Sequence, residues 1–206
     1  YPGAEQRYQD FLAAYPDADI EIIESEEAPK SREITSLPWT LIHLNEENKE
    51  YAFTHEAFAP ILTIYNLETS NDATRFLEAS VEICNTEIWG NLSCTLIIDD
   101  QTAHQYAEAL DQSVHRLKYG AIGVNLWTSQ VYAITRCTWG GYPENSLAEI
   151  SSGIGVVNNT YGVPRVEKSV VYAAFEDPNQ LALRPDGSNP LSYAMCQDVV
   201  RSEEHT

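Results

Sequence analysis

Leu92-Ser-Cys-Thr-Leu-Ile-Ile98, then Asp99-Asp100, then a helical rhythm from Thr102 to about Leu117, then Gly120 and Ala121-Ile-Gly-Val-Asn-Leu126: this stretch decides the fold. The first apolar run is strand-sized, and the paired aspartates end it. Between Thr102 and Leu117 the residues Tyr106, Ala107, Leu110 and Val114 share one helical face. Gly120 reads as the helix stop, and Ala121 to Leu126 predicts the next strand. A short apolar strand, a helix and a second strand in that order predict a parallel crossover unit.

The same grammar extends outward. Pro60 to Leu67 alternates around Ile61, Leu62, Ile64 and Tyr65, which predicts a strand. Ser70-Asn-Asp72 is a helix entry with Ser or Asn as cap, and Phe76, Leu77, Ala79, Ser80 and Ile83 keep helical spacing through Cys84. The expected fold class is therefore α/β, with a parallel-type βαβ crossover sheet. Farther upstream, residues 2–15 predict a helix with Pro2 in its first turn and Tyr8, Phe11 and Leu12 as its apolar positions. Pro16-Asp17 stops it. Ile20–Ile23 is a short strand, Glu24–Lys30 a charged loop, Leu37–Leu44 a buried strand and Asn45–Lys49 a polar turn. Downstream, residues 127–165 are rich in Gly, Asn, Pro and aromatics and predict long loops, the usual home of a binding site. Glu167–Phe175 predicts one more strand. The expected organisation is an N-terminal helix and linker over 1–36, a main portion over 37–165, a strand region over 166–177 and a surface tail over 178–206.

The 206 residues carry 31 acidic and 12 basic side chains, a formal charge of −19. That excess argues against nucleic acid, since little here could neutralise a run of phosphates. It also argues against an anionic membrane surface. No apolar run approaches the roughly 20 residues that cross a bilayer. The chain begins at Tyr1 rather than Met, which suggests a cut or processed piece of a longer polypeptide. Four widely spaced cysteines (Cys84, Cys94, Cys137, Cys196) form no Cys-x-x-Cys pair, and no His stands at zinc-ligand spacing from them, so no metal site is expected. A reducing, cytoplasmic setting is the simplest expectation.

Several residues could carry chemistry. Trp139-Gly-Gly-Tyr142 and Ser151-Ser-Gly-Ile-Gly155 lack the spacing of a dinucleotide or P-loop motif and predict tight turns. Cys84 keeps a helical apolar rhythm and Cys94 a strand alternation, both core patterns. Cys137, after Arg136, is the only cysteine with a cation next to it in sequence. Glu56 precedes a strand, where a carboxylate can accept two hydrogen bonds from a ribose diol; the alternative is an exposed turn glutamate. Trp89, Trp127, Tyr132, Trp139 and Tyr142 read as packing aromatics rather than a stacking platform, and the net charge disfavours a nucleic-acid platform further.

Read in order, five segments resemble the C-terminal half of an aldehyde dehydrogenase. Glu56-Ala-Phe-Ala-Pro-Ile61 resembles Glu-x-Phe-Gly-Pro-Val, and Glu82-Ile-Cys-Asn-Thr-Glu-Ile-Trp-Gly-Asn-Leu-Ser93 is similar to Ala-Asn-x-x-x-Tyr-Gly-Leu-Ala. Lys118-Tyr-Gly-Ala-Ile-Gly-Val-Asn125 resembles Leu-x-x-Gly-x-Val-x-Val-Asn, Trp139-Gly-Gly-Tyr142 resembles Phe-Gly-Gly-x, and Val166-Glu-Lys-Ser-Val-Val171 resembles the closing segment before the last strand. The resemblance runs from Leu37 to Phe175. Ser152-Gly-Ile-Gly-Val-Val-Asn-Asn-Thr160 looks like a divergent branch.

The resemblance implies roles residue by residue. Glu56 would bind the nicotinamide ribose of NAD or NADP, and Phe58 would pack beside the nicotinamide. Trp139 would line the aldehyde tunnel, with Tyr132 as a second wall, and Asn125 would close a strand near it. The strand around Val170–Ala174 would join an oligomerisation sheet. The family oxidises aldehydes to acids through a Cys thioester, with hydride passing to the nicotinamide. Here residues 1–55 hold no Cys. The general-base Glu motif and the Gly-rich dinucleotide turn are also missing, and Ala59 replaces the motif's Gly. The expectation is thus a C-terminal fragment of an NAD(P)-dependent aldehyde dehydrogenase-like oxidoreductase, inactive alone, that pairs with its own N-terminal half and forms a homo-oligomer. The alternatives are a degenerate, non-catalytic binding or assembly module, and a stand-alone enzyme using Cys137.

Overall fold

The computed structural model describes residues 2–23 and 37–175; Glu24–Lys30, Cys196 and the segment 178–206 lie outside the described residues. The chain falls into two units, Tyr1–Trp89 and Gly90–Thr206, and the division lies inside the stretch 37–165. Both units are mixed α/β.

The first unit opens with α1 (Ala4–Ala14), entered through Gly3 at φ 75°. It buries Tyr8 and Phe11 and ends at Tyr15, just before Pro16. Strands β1 (Asp19–Ile23), β2 (Trp39–Leu44) and β3 (Ile61–Tyr65) form a sheet in that order. β2 alternates: Thr40, Ile42 and Leu44 are buried, while Trp39, Leu41 and His43 point to the other face. Ile42 and Leu44 pack with Phe11, Tyr15 and Phe53, the last from the short helix α2 (Glu50–Thr54). Two tyrosine hydroxyls are satisfied within this core: Tyr8 pairs with Thr40 Oγ1 at 2.5 Å, and Tyr15 accepts the Ala52 amide at 2.8 Å. Helix α3 (Ala73–Thr86) follows β3 and buries Leu77 and Val81.

Two expectations need correction here. The sheet is not purely parallel: β1 runs antiparallel to β2, and only β2 and β3 are parallel. The cap of α3 is neither Ser70 nor Asn71. Those two residues turn the chain through positive φ (55° and 56°), and the Asp72 carboxylate accepts from the amides of Thr74 and Arg75.

In the second unit, β4 (Ser93–Leu96), β5 (Ala121–Val124) and β8 (Ser169–Tyr172) form a wholly parallel sheet in the order β4-β5-β8. Ala121 lies between Ser93 and Ser169, and Val124 between Leu96 and Tyr172. Every residue of β5 is buried. The crossover from β4 to β5 is the one the deciding stretch predicts. It comes as two helices, α4 (Asp100–Gln105) and α5 (Ala107–Arg116), broken at Tyr106. The other expected crossover does not form, because β3 and β4 belong to different sheets. Periodicity shows that α3 has one buried stripe; it carries no information about which sheet receives the next strand.

Gly120 is not a helix cap either. Helix α5 ends at Arg116, and the Lys168 ammonium takes its last carbonyls, donating to Leu117 O at 2.6 Å, His115 O at 2.7 Å and Val114 O at 3.4 Å. A cation there satisfies carbonyls that lack intrahelical partners and opposes the negative end of the helix dipole. Gly120 is required for close approach instead: a Cβ would lie 1.8 Å from the Gly140 carbonyl oxygen. Residues 127–165 are also more than loops. They hold the short helix α6 (Ser129–Ala133) and an antiparallel pair, β6 (Trp139–Gly140) with β7 (Val156–Val157).

Candidate functional site

Glu56 and Phe58 stand on the loop between α2 and β3, at the end of the sheet where β3 begins. The Glu56 carboxylate is exposed and has no hydrogen-bond or ion-pair partner among the described residues. It can therefore accept two hydroxyls at once. The loop around it is held on both sides. His55 stacks on Tyr51 at 4.3 Å, with Nδ1 facing Thr54 Oγ1 at 3.0 Å. On the other side Pro60 accepts the Thr40 amide at 2.9 Å, which ties the loop to β2.

Phe58 is in the left-handed region, at φ 40°, and the residue is 53% exposed. An aromatic residue there costs about 1–3 kcal/mol and persists only when its surroundings over-determine it. One contact that opposes relaxation comes from α1: Arg7 Nη2 donates to the Phe58 carbonyl at 3.1 Å, while Nη1 donates to Pro2 O at 3.1 Å. A hydrogen bond from a charged donor contributes about 1.5–3 kcal/mol, the same size as the strain.

Tyr132 and Trp139 belong to the second unit and do meet. Tyr132 comes from α6 and Trp139 from β6, and their rings pack edge to face with centroids 5.7 Å apart. Trp139 leans on the buried cluster of Ala121, Leu126 and Val131, whereas Tyr132 is more than half exposed. Asparagines fix the surrounding chain. Asn158 donates to Tyr132 O at 3.0 Å and Asn159 to Arg136 O at 2.7 Å, both from left-handed backbone. Asn91 and Asn145 exchange amide hydrogen bonds at 2.7 and 3.0 Å, and Asn145 also donates to Gly153 O at 2.7 Å. Ser151–Gly155 turns as expected, with Gly153 at φ 105°, but Trp139-Gly-Gly-Tyr142 is not a tight turn: Trp139 and Gly140 form β6, and Gly140 lets that strand lie against β7.

A separate pocket of about 410 Å³ opens where β4 and β5 end, lined by Thr95, Ile97, Asn125, Leu126, Trp127 and Phe175. Carboxyl ends of parallel strands are the usual binding edge of such sheets. Asn125, at φ 59°, donates through Nδ2 to Ile98 O and accepts the Ile98 amide through Oδ1, each at 2.8 Å. Thr95 Oγ1 donates to Leu126 O at 3.3 Å. With those polar groups engaged, the pocket offers mainly apolar surface, including Trp127 at 68% and Ile97 at 76% exposure.

The three described thiols are all half-buried. Cys84 is half-buried in α3, and burial raises its pKa, which disfavours the thiolate. Cys94 is half-buried in β4, and Cys137 is half-buried against the Ala121–Leu126–Val131 cluster. Among the described residues no group of His, Cys, Asp and Glu is placed to hold a metal ion. No helix among them is long and apolar enough to cross a membrane.

Of the expected site residues, the structure brings together Tyr132 and Trp139 in one unit, while Glu56 and Phe58 share one loop in the other. Arg7 escaped sequence reading because its contact with Phe58 spans 51 positions and leaves no local signal. The asparagine clasps were visible only as Asn-rich composition. No protein-family model matches this chain, and no curated protein matches it.

Proposed function

We propose that this chain is the C-terminal portion of an NAD(P)-dependent aldehyde dehydrogenase-like oxidoreductase, contributing binding and lining residues and not the nucleophile. The observation that supports it most is the Glu56–Phe58 loop. An accessible, unpartnered carboxylate two residues from a half-exposed phenylalanine fits the ribose diol and nicotinamide of such a cofactor. Glu56 would hold the ribose and Phe58 would flank the nicotinamide. The cofactor supplies hydride acceptance when bound. In the second unit Trp139, backed by Tyr132, supplies an apolar wall that suits a small aldehyde and excludes water from it.

The chain offers no Gly-x-Gly-x-x-Gly turn for the pyrophosphate and no Cys before Glu56. In this reading both belong to polypeptide outside Tyr1–Thr206, and exposed apolar residues such as Trp39, Leu62 and Tyr161 belong to interfaces with that polypeptide or with a second subunit. The test is aldehyde-dependent NAD(P) reduction by the full-length gene product and by residues 1–206 alone. Turnover is expected only from the former, and Glu56→Gln should raise its KM for the cofactor about tenfold. A full-length product with no Gly-x-x-Cys upstream and no turnover would instead identify a non-catalytic binding or assembly module. Turnover by the 206 residues alone would point to Cys137.

A further inference from the structure

The geometry points to Arg7 as a positioning residue that holds Phe58, and with it Glu56, in the conformation that receives the cofactor. This rests on the cofactor reading of Glu56 and Phe58 and adds a residue that reading lacks. Arg7 sits in the second turn of α1, and its guanidinium reaches across to the Phe58 carbonyl at 3.1 Å. The acceptor belongs to a non-glycine residue at φ 40°, where relaxation to ordinary backbone would turn the carbonyl away and swing both the ring and the preceding carboxylate. The fork is anchored at its other nitrogen by Pro2 O at 3.1 Å. Its Nε is buried and has no hydrogen-bond partner among the described residues.

An unsatisfied buried donor is uncommon in a folded protein. Among the described residues no carboxylate pairs with Arg7, although the chain carries 31 of them. The guanidinium is thus committed to main-chain carbonyls at the cost of Nε, and not to a salt bridge. A lysine would keep the charge but not the planar fork that spans two carbonyls.

The test couples a structural and a ligand readout. In the 206-residue chain, Arg7→Met should speed amide hydrogen exchange across residues 55–61 about tenfold and leave β5 unchanged. In the full-length gene product, the same variant should weaken NADH binding about tenfold by fluorescence titration. Arg7→Lys should recover part of both, and serves alone if the Met variant does not fold. In a Glu56→Gln background the added loss from Arg7→Met should shrink to less than twofold, because Arg7 acts through the loop that carries Glu56. Unchanged exchange in Arg7→Met, or Arg7→Lys if the former does not fold, would overturn the proposal. So would faster exchange with unchanged NADH binding, provided Glu56→Gln itself weakens binding. If Glu56→Gln leaves NADH binding unchanged, the cofactor reading fails and this inference falls with it.

Discussion

β2 and β5 are each the middle strand of a three-stranded sheet, and both read as nearly continuous apolar runs, yet they are covered differently. All of β5 is buried, with Ile122 and Ala121 at 0% exposure on opposite faces. That is the condition of a parallel strand packed on both sides. β2 is buried only at Thr40, Ile42 and Leu44. Its other face, with Trp39, Leu41, and the cross-strand neighbours Ile23 and Leu62, carries apolar side chains with Trp39 and Leu62 each 61% exposed. An apolar run therefore reports what a strand is able to bury, not what the described residues of its own unit supply to bury it against.

The largest effect should come from Gly120→Ala. The new Cβ would meet backbone, with the Gly140 carbonyl carbon also within 2.9 Å, so no side chain can yield. Overpacking against immovable backbone should cost more than about 3 kcal/mol. Hydrogen exchange should then show β4, β5 and β8 losing protection while β1–β3 retain theirs. Equal loss in both sheets would show that the two units fold as one. The comparison is sharpened by Ile42→Ala and Ile122→Ala, since both side chains are fully buried. Each should cost about 2–5 kcal/mol, and denaturation followed by exchange should place each loss in its own sheet.

The smallest effects are acid steps. The Asp99 carboxyl, capping α4, is held below the ordinary carboxylate range first by hydrogen bonds to Thr102. The Glu46 carboxyl is held down by Lys49 and then by the Tyr65 hydroxyl. A carboxyl with a lowered folded-state pKa stabilises at pH above its unfolded value and loses that contribution as pH falls through the folded value. Asp99→Asn and Glu46→Gln should therefore lower the thermal midpoint slightly near neutrality and match wild type in strong acid, each in its own unit. A difference that persisted in strong acid would mean that shape, not charge, matters at that position.

How legible all this was in the sequence varies with range. α1, α3, β3 and the β4–β5 crossover follow from apolar spacing among nearby residues; α1, α3 and α5 each bury one stripe of it. The five-residue helices α2 and α6 are too short to show a period. The break at Tyr106 sits inside a continuous apolar stripe and leaves no gap in it. The glycine after α5 suggested a cap, but Lys168, 51 positions beyond Leu117, supplies it. Site residues followed the same rule. Tyr132 and Trp139 are near in sequence and meet, whereas Arg7 reaches Phe58 only through the tertiary fold.

Asn125 shows how narrow the choice of amino acid can become at one position. Its amide imitates a peptide group, giving and taking one hydrogen bond with Ile98, and so adds a rung to the β4–β5 ladder where the backbone has already turned away. Glycine would suit the turn but erase the rung. Aspartate would keep the acceptor and set a negative charge against the Ile98 carbonyl. Glutamine would overshoot, and most other side chains resist the left-handed turn. Any sequence that descends into this fold is thus left with a one-letter alphabet at that point.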